Sequence, residues 1–332
     1  MSPLKLRFAS QDYDRTKGLT DGSVKIEGIE LEHVDSPPWL TFERLIKGGE
    51  FDVSEMGLTF YLGTLLLEDP PFIALPVFLS RTFRHSSIYI NRASGIRTPK
   101  DLIGKTVGEA FCYGHDAGVW SKGILSDEYG VPTDSYRYLI GGVDRPAKPW
   151  DWLPFKPPAH VDVRHIGTEH TLDAMLESGE IDALYSAIVP PSLLRRSPKV
   201  GRLFEDAEPI ERDYYRRTGI HPIMHVVVIR RSVYREHPWI AKALYDGFKE
   251  AKEQVMTLHR AYEGRMHLLL MIPLLTELYE RNREMFGADP WPYGLKANHK
   301  TLDTFLRYRQ EQGLTKTRLA PEELFAPETL TE

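Results

Sequence analysis

The chain has 332 residues, of which 42% are hydrophobic and 27% charged, a balance typical of a globular protein long enough for two domains. Its formal net charge of -5 at pH 7 argues against nucleic acid as a partner, because binding to phosphate backbones needs an excess of lysine and arginine. The single cysteine, Cys112, excludes disulfides within the chain and zinc sites built on thiolates, and we expect it to be a buried apolar residue rather than a nucleophile.

The first part of the chain alternates strand and helix patterns, which is typical of an α/β fold. Gly48 and Gly49 mark the end of an amphipathic helix, as glycines commonly do. The charged segment SRTFRH (80–85) leads into an apparent strand, SSIYINR, which we expect to complete the first sheet. Strands are predicted at 4–10, 26–34, 51–56, 72–79 and 86–92, helices at 38–49 and 58–68, and a polar loop at 12–24.

A second α/β unit is predicted from Thr98 onwards, because Thr followed by Pro is typical of a helix start. The strand predicted at 223–231 is strongly apolar and is expected to return to the first unit. Residues 143–160 are rich in Pro and Trp and should be irregular, and the chain beyond 237 is predicted to be mostly helical. The second unit has predicted strands at 106–110, 136–142, 161–167 and 181–187, with helices at 118–130 and 168–180.

This order of elements predicts two α/β domains joined by two crossovers. Such an arrangement is typical of periplasmic-binding-protein-like folds, whose ligand lies in the cleft between the domains. We predict that residues 1–92 and 208–255 form the first domain and residues 93–207 the second. Residues 256–332 are expected to form a helical C-terminal extension.

Three short motifs make the resemblance more specific. DYDRT (12–16), SRTFRH (80–85) and TGIHPIMH (218–225) occur far apart and in the order that resembles the 4,5-dihydroxyphthalate decarboxylase family, part of the type II periplasmic-binding-protein-like superfamily. The resemblance covers roughly residues 4–250. It implies loss of CO2, without a cofactor, from a phenol with two adjacent carboxylates. The segment GHDAGVW (114–120) departs from the family pattern and leaves the exact substrate open.

That reaction needs cations for the carboxylates, a base for a phenolic hydroxyl, and an acid that protonates the ring carbon. Arginine suits the first role because its planar guanidinium can meet both carboxylate oxygens. The resemblance places Arg81, Arg84 and Arg15 in that role. The alternative for the arginines of SRTFRH is a salt bridge between the domains or a position in solvent.

Two further residues are predicted to contact the substrate. Tyr13 follows the first strand, at the end where ligands bind in open α/β sheets, and is placed to stack on an aromatic ring or to hydrogen-bond it. Glu55 also lies at a strand end and is predicted to bind a catechol hydroxyl, the alternative being a structural ion pair. The aspartates beside Tyr13 are expected to cap a turn.

Three histidines are the candidates for proton transfer, because imidazole titrates near neutral pH. His85 and His225 lie in the family motifs, and His115 follows a strand of the second unit. A buried core histidine is the alternative for His225, and His221 is expected to face solvent. Asp116 either pairs with His115 or caps the helix that it begins. The sequence does not decide which histidine is the acid and which the base.

The catalytic interpretation carries its own test. It requires that Arg81, His85, His115 and His225 converge in one interdomain cleft, and it fails if they scatter. The alternative is a protein that only binds or senses a small aromatic or sulfonate anion, because one fold serves both roles. No metal motif is recognised among the histidines, and we expect no metal site.

The remaining expectations concern partners and location. The expected partner is a small aromatic dicarboxylate. The N-terminal residues hold no apolar run of signal-peptide length, and HLLLMIPLLTELY (267–279) is short for a membrane span and contains Pro273. We therefore expect a cytoplasmic protein with no membrane partner. The apolar stretch 266–287 of the C-terminal extension is expected either to pack across a homo-oligomer interface or to cover its own domain.

Overall fold

The computed structural model describes residues 2–150, 156–260 and 272–332. The strands are β1 Leu4–Ser10, β2 Ile29–Asp35, β3 Val53–Gly57, β4 Phe72–Arg81, β5 Ile88–Asn91, β6 Thr106–Ala110, β7 Arg137–Gly141, β8 Val163–His165, β9 Ala183–Tyr185, β10 Val200–Arg202 and β11 Ile223–Arg230. The helices are α1 Lys17–Thr20, α2 Pro38–Gly48, α3 Leu58–Thr64, α4 Asp116–Tyr129, α5 Leu172–Ser178, α6 Pro191–Leu194, α7 Ala207–Thr218, α8 Arg231–Glu236, α9 Ile240–Arg260, α10 Leu275–Phe286 and α11 Leu295–Glu311.

The first sheet has the strand order β2-β1-β3-β11-β4. Strands β1, β2 and β3 are parallel, and β11 runs antiparallel between β3 and β4, so the predicted return of the chain is confirmed. The run VVVI in β11 is buried on both faces: Val227 and Ile229 pack in one apolar cluster with Phe248 of α9, and Val226 and Val228 pack in another. We call this sheet with α1, α2, α3, α8 and α9 the first lobe.

The second sheet has the order β10-β5-β9-β6-β7-β8 and, with α4, α5 and α6, forms the second lobe. Strand β5 pairs antiparallel with β9 and β10, so the expectation that SSIYINR completes the first sheet is wrong. The apolar pattern of a short strand does not encode which sheet it joins. The chain therefore crosses between the lobes at 82–87, before β5, and it crosses back between β10 and β11.

Several local predictions are confirmed and two are incomplete. Helix α2 ends where predicted, with Gly49 at a φ of 55°, a left-handed conformation that glycine adopts without strain. Residues 143–150 and 156–160 contain no helix or strand, as expected, and residues 151–155 of that segment lie outside the described ranges. The polar loop after β1 contains the short helix α1, and α7, a charged amphipathic helix, was not predicted.

The C-terminal segment contacts both lobes. Helix α11 packs on α4, where Trp120 lies against Phe305 and Tyr308 at ring-centroid distances of 5.4 and 5.6 Å. The backbone N–H of Ala326 donates to Ala74 of β4 at 2.9 Å. By contrast, no residue of α10 is fully buried, although Phe286 packs against Tyr215 and His221 at ring-centroid distances of 4.7 and 5.2 Å. Residues 266–271 of the proposed oligomer surface lie outside the described ranges. Among the described helices, none is long and apolar enough to span a bilayer.

Candidate active site

A cavity of about 480 Å³ lies between the two lobes. The first lobe contributes residues that follow β1 and β4, residues of α2 and α3, and the start of β11, and the second lobe contributes the N-terminus of α4 and the residues after β9. The polar side chains that matter for the chemistry are Tyr13, Arg84, His115, Asp116, Arg202 and His225.

The first-lobe wall carries a hydrogen-bonded cluster centred on Glu55. This carboxylate is fully buried on β3, and one of its oxygens, Oε1, accepts from the Tyr13 hydroxyl at 2.7 Å and contacts His225 Nδ1 at 2.6 Å. The ladder of β3 and β11 pairs His225 with Gly57, so Glu55 is its diagonal neighbour across the strands, within reach of a long side chain. Burial, together with the Glu55 charge, raises the pKa of Tyr13, which is therefore a hydroxyl donor at neutral pH.

The second-lobe wall carries a different cluster, centred on Glu109 at the end of β6. Its Oε1 lies 3.3 Å from His115 Nδ1 and accepts from the backbone N–H of Gly114 at 2.8 Å. The ammonium of Lys122 contacts both carboxylate oxygens, at 3.2 and 2.9 Å. His115 immediately precedes α4, and Lys122 lies within that helix, so both side chains reach Glu109 from the N-terminal half of one helix.

Glu109 and Lys122 are both completely buried. Burial acts to raise the pKa of Glu109, but Lys122 and His115 outweigh it and hold that pKa below its ordinary value. The Lys122 ammonium also lies 3.6 Å from the centre of the Tyr113 ring, a position that suits a cation. We therefore describe the pair as an ionised carboxylate and an ammonium. Neither residue is among those predicted from the sequence, although a lysine within the apolar run GVWSKGIL is a signal of a buried ion pair.

Asp116 joins the two lobes at the floor of the cleft. Its Oδ1 accepts from the backbone N–H of Thr59 in α3 at 2.6 Å, and it makes no cap on its own helix, so the capping alternative is wrong. A Cβ on Gly57 would lie only 2.5 Å from Asp116 Oδ2, which shows how closely the lobes approach here. Burial raises the pKa of Asp116, against the opposing effects of His225, the Thr59 backbone N–H and Arg84.

Arg84 is a buried cation that faces the cleft. It is 4% exposed, and in the described part of the chain its guanidinium makes no hydrogen bond and no ion pair within 4 Å. Burial lowers its pKa to about 10, with partial compensation by the more distant Asp116 and Glu211. Arg202 of β10 also lines the cleft, and its Nε donates to the backbone oxygen of Ser86 at 2.9 Å. Arg202 is not among the residues predicted from the sequence.

Aromatic side chains close the remainder of the cavity. Trp150, on the irregular segment of the second lobe, stacks on Phe111 at 4.9 Å and meets Phe60 of the first lobe edge-on at 5.6 Å. Phe42 of α2 lies edge-on to His225 at 5.2 Å. These rings give the cleft an apolar wall of the right kind for a flat aromatic ligand.

Two of the predicted carboxylate ligands lie outside the cleft. The Arg81 guanidinium donates to the backbone oxygens of His221 and Pro292, at 3.1 and 2.7 Å, and to the side chain of Asn298, so it ties α11 to the first lobe. Arg15 donates to the backbone oxygen of Leu79 and lies over the Tyr13 and Trp291 rings. The expectation that both arginines face the cleft is wrong because backbone carbonyls already use their donors.

His85 and His221 also lie elsewhere than expected. His85 is buried among Phe204, Tyr214 and Tyr129, and burial lowers its pKa to about 4. His221 does not face solvent: its ring stacks on Phe83 at 4.7 Å, and burial lowers its pKa to about 3.

Of the four residues expected to converge in the cleft, His115 and His225 do so, whereas Arg81 and His85 do not. Cys112 is buried, as expected, and burial raises the pKa of its thiol. Within the described ranges, no three His, Cys, Asp or Glu side chains are grouped as they would be to hold a metal ion.

Comparison with known proteins gives two kinds of similarity. A protein from Comamonas testosteroni named 4,5-dihydroxyphthalate decarboxylase is 33% identical over 330 residues, which is 99% of this chain and 98% of that protein. A protein of the same name from Pseudomonas putida is 33% identical over 216 residues, 65% of this chain and 83% of its own length. No protein-family model matches the sequence.

Solved structures are similar in fold at low sequence identity. The alkanesulfonate-binding protein SsuA from Xanthomonas axonopodis pv. citri, bound to MOPS, has a TM-score of 0.53 at 14% identity, and 99% of this chain covers 98% of it. The ligand-binding component of an ABC-type import system from Staphylococcus aureus, with zinc bound, has a TM-score of 0.54 at 13% identity, with coverage of 100% and 99%. The predicted periplasmic-binding-protein-like fold is thus confirmed.

Proposed function

The chain belongs to the 4,5-dihydroxyphthalate decarboxylase family, and we propose that it is a lyase that removes one carboxyl group from a hydroxylated phthalate. The leading substrate is 4,5-dihydroxyphthalate, with 3,4-dihydroxybenzoate and CO2 as the products. The single structural observation that carries the proposal is the content of the cleft. A buried arginine without a carboxylate partner faces a cavity that also contains two histidines, each backed by a glutamate.

Arg84 supports the choice of an anionic substrate. An unpaired buried guanidinium is costly, and a carboxylate placed against it would supply charge-assisted hydrogen bonds that the protein alone does not provide. Arg202 lies in the same cavity and offers further N–H donors for an adjacent carboxylate. Two neighbouring carboxylates on one ring match these two cations.

The proposed reaction proceeds by protonation of the ring carbon that bears the departing carboxylate. A base removes the proton of the hydroxyl para to that carbon, and the phenolate pushes electron density into the ring. An acid delivers a proton to the ring carbon, the bond to CO2 breaks, and its electron pair restores the aromatic ring. The phenolate then recovers its proton, and the acid is recharged from solvent, so the balance is one proton consumed for each CO2 released.

The aromatic wall supports this chemistry by excluding water. Phe42, Phe60 and Trp150 surround the cavity, and a carboxylate without hydration loses CO2 more readily because the product is neutral and apolar. The histidines supply the proton transfers, since imidazole is the side chain that exchanges protons near neutral pH.

The test is turnover of 4,5-dihydroxyphthalate by purified, chelator-treated protein in D2O, followed by CO2 release and mass spectrometry of the dihydroxybenzoate. We expect turnover that survives chelation and a product that carries one deuterium at the vacated ring position. His115→Asn and His225→Asn should each lower kcat by roughly 10²- to 10⁴-fold. His299→Asn, at a half-exposed position on α11, is the control.

A different outcome would separate the alternatives. Tight binding of 4,5-dihydroxyphthalate without CO2 release would favour the non-catalytic binding or sensing protein. Absence of both binding and turnover would exclude this substrate, and other hydroxylated aromatic acids would be tested next.

A further inference from the structure

The two histidines of the cleft contact different charged groups: His225 contacts Glu55, whereas His115 contacts Glu109, which is paired with Lys122. We propose that His225 is the acid that protonates the ring carbon, that His115 is the base for the phenol, and that the buried Lys122 is the positioning residue that makes them different. This inference rests on the proposed function and assigns the roles that the sequence left open.

Glu55 has one basic neighbour, His225. In the described ranges no lysine or arginine nitrogen lies within 4 Å of the Glu55 carboxylate, and its other hydrogen bond comes from the neutral Tyr13 hydroxyl. The contact between His225 Nδ1 and Glu55 is 2.6 Å, a length typical of a charge-assisted hydrogen bond. We infer that the Glu55 carboxylate takes its counter-charge from His225, its one basic neighbour in the described ranges.

Glu109 has its counter-charge already. Lys122 contacts both of its oxygens, so the Glu109–Lys122 pair is neutral as a unit without any proton on His115 Nε2. The contact from His115 Nδ1 to Glu109 is the longer one, 3.3 Å, as expected for a neutral imidazole that donates its Nδ1 proton. His115 Nε2 is then a free acceptor, and it is buried without a hydrogen-bond partner among the described residues.

The other charged groups near the two rings do not reverse this assignment. Asp116 of α4 interacts electrostatically with both imidazoles, and it is itself balanced by Arg84 and by Arg309 of α11. The aromatic Phe42 of α2 contributes no charge to His225. Among the charged groups described beside the two glutamates, Lys122 is the one that Glu109 has and Glu55 lacks.

With these roles, the protons and electron pairs of the decarboxylation are all accounted for. His115 Nε2 takes the phenolic proton and becomes an imidazolium, and the proton on His225 Nε2 passes to the ring carbon. The bond from that carbon to CO2 breaks, its electron pair returns through the ring to the phenolic oxygen, and that oxygen takes its proton back from His115. His225 is left neutral and regains a proton from solvent, because the adjacent Glu55 carboxylate favours its protonated form.

The test is Lys122→Met in the full-length protein, with Lys252→Met as its matched control. Lys252 is also buried and ion-paired, at 2.6 Å from Asp289, but it lies outside the cleft. Without Lys122, Glu109 should draw a proton onto His115, which then ceases to be a base. We expect kcat to fall roughly 10²-fold and the acidic limb of its pH profile to move to higher pH, with neither change in Lys252→Met.

The protonation states of the two histidines can also be measured directly, without substrate. ¹⁵N NMR of the imidazoles, assigned with His115→Asn and His225→Asn, should show His225 protonated on both nitrogens and His115 on Nδ1 only at pH 7.5. In Lys122→Met, His115 should become doubly protonated. The double variant Glu109→Gln with Lys122→Met removes both buried charges, so it should return His115 to the neutral form and bring kcat to within about tenfold of the wild-type value.

A doubly protonated His115 in the wild type, or a His115 spectrum that Lys122→Met leaves unchanged, would overturn the inference. If the single variant does not fold, a doubly protonated His115 in the double variant would overturn it equally. Because the NMR states are read without substrate, failure of the inference is distinct from failure of the proposed reaction, which wild-type turnover tests.

Discussion

Arg84→Met should make the protein more stable and less active at the same time. The side chain is buried, and the fall of its pKa from 12.5 to about 10 corresponds to about 3 kcal/mol of unfavourable free energy for carrying the charge at this position. Methionine removes the charge and keeps an unbranched apolar chain. We therefore expect the free energy of unfolding to rise by about 1–3 kcal/mol.

The same change removes the proposed ligand of a substrate carboxylate. Two hydrogen bonds between charged groups contribute about 1.5–3 kcal/mol each, so their loss should lower kcat/KM by roughly 10²- to 10⁴-fold. The assay combines urea denaturation of the ligand-free protein with steady-state release of CO2. Opposite signs in the two measurements are the signature of a charge that is held for a ligand.

Arg81→Met is the matched comparison, because Arg81 is equally buried but donates to three acceptors of its own chain. Burial also lowers the pKa of Arg81, to about 9, so removing its charge relieves a similar cost, but Arg81→Met also loses hydrogen bonds that Arg84 does not make. We therefore expect Arg81→Met to be about 1–4 kcal/mol less stable than Arg84→Met, with little change in kcat/KM at temperatures where the variant is folded. The reasoning would be refuted if Arg84→Met were destabilised as much as Arg81→Met while its kcat/KM stayed within threefold of wild type.

Two further predictions concern stability. Burial lowers the pKa of His85 to about 4 in the folded protein, so between about pH 6.5 and 4 the unfolded chain binds the extra proton, and stability should fall by about 2–3 kcal/mol as the pH drops through that window. His85→Phe should not show this loss in the free energy of unfolding, whereas His299→Gln, at an exposed position, should show it as the wild type does. Equal acid sensitivity of His85→Phe and wild type would contradict the prediction. Gly123→Ala should destabilise the protein by about 1–3 kcal/mol, because its Cβ would lie 2.1 Å from a ring atom of Tyr308 on α11, while Gly48→Ala, with open space around it, serves as control in the same thermal melt.

The sequence predicted most of the fold because its signals are local. The apolar run of β11, the helix that ends at Gly49 and the irregular segment after Gly142 each follow from a few neighbouring residues. The membership of β5 in the second sheet does not, because its partner strands β9 and β10 lie far along the chain.

The site was predictable only where a residue type and a strand end coincided. Tyr13, His225 and Arg84 line the cavity, whereas Glu55 is buried behind the first two as their hydrogen-bond partner, which fits the ion-pair alternative and not the predicted contact with a substrate hydroxyl. Arg81 was misassigned because the carbonyl groups that use its donors belong to segments more than a hundred residues away. The sequence pattern does not distinguish an arginine that binds a ligand, as proposed for Arg84, from one that hydrogen-bonds another part of the chain, as Arg81 does.

The contacts of the C-terminal segment limit how the two lobes can move. If the two chain crossings were the only connections, the lobes could rotate relative to each other about one hinge axis. Helix α11 adds a third support: it packs on Trp120 of the second lobe, while Asn298 and the nearby Ala326 hold the first. A swing about the hinge would have to slide this helix off one lobe. The contacts of α11 with both lobes therefore oppose an opening of the cleft by hinge rotation.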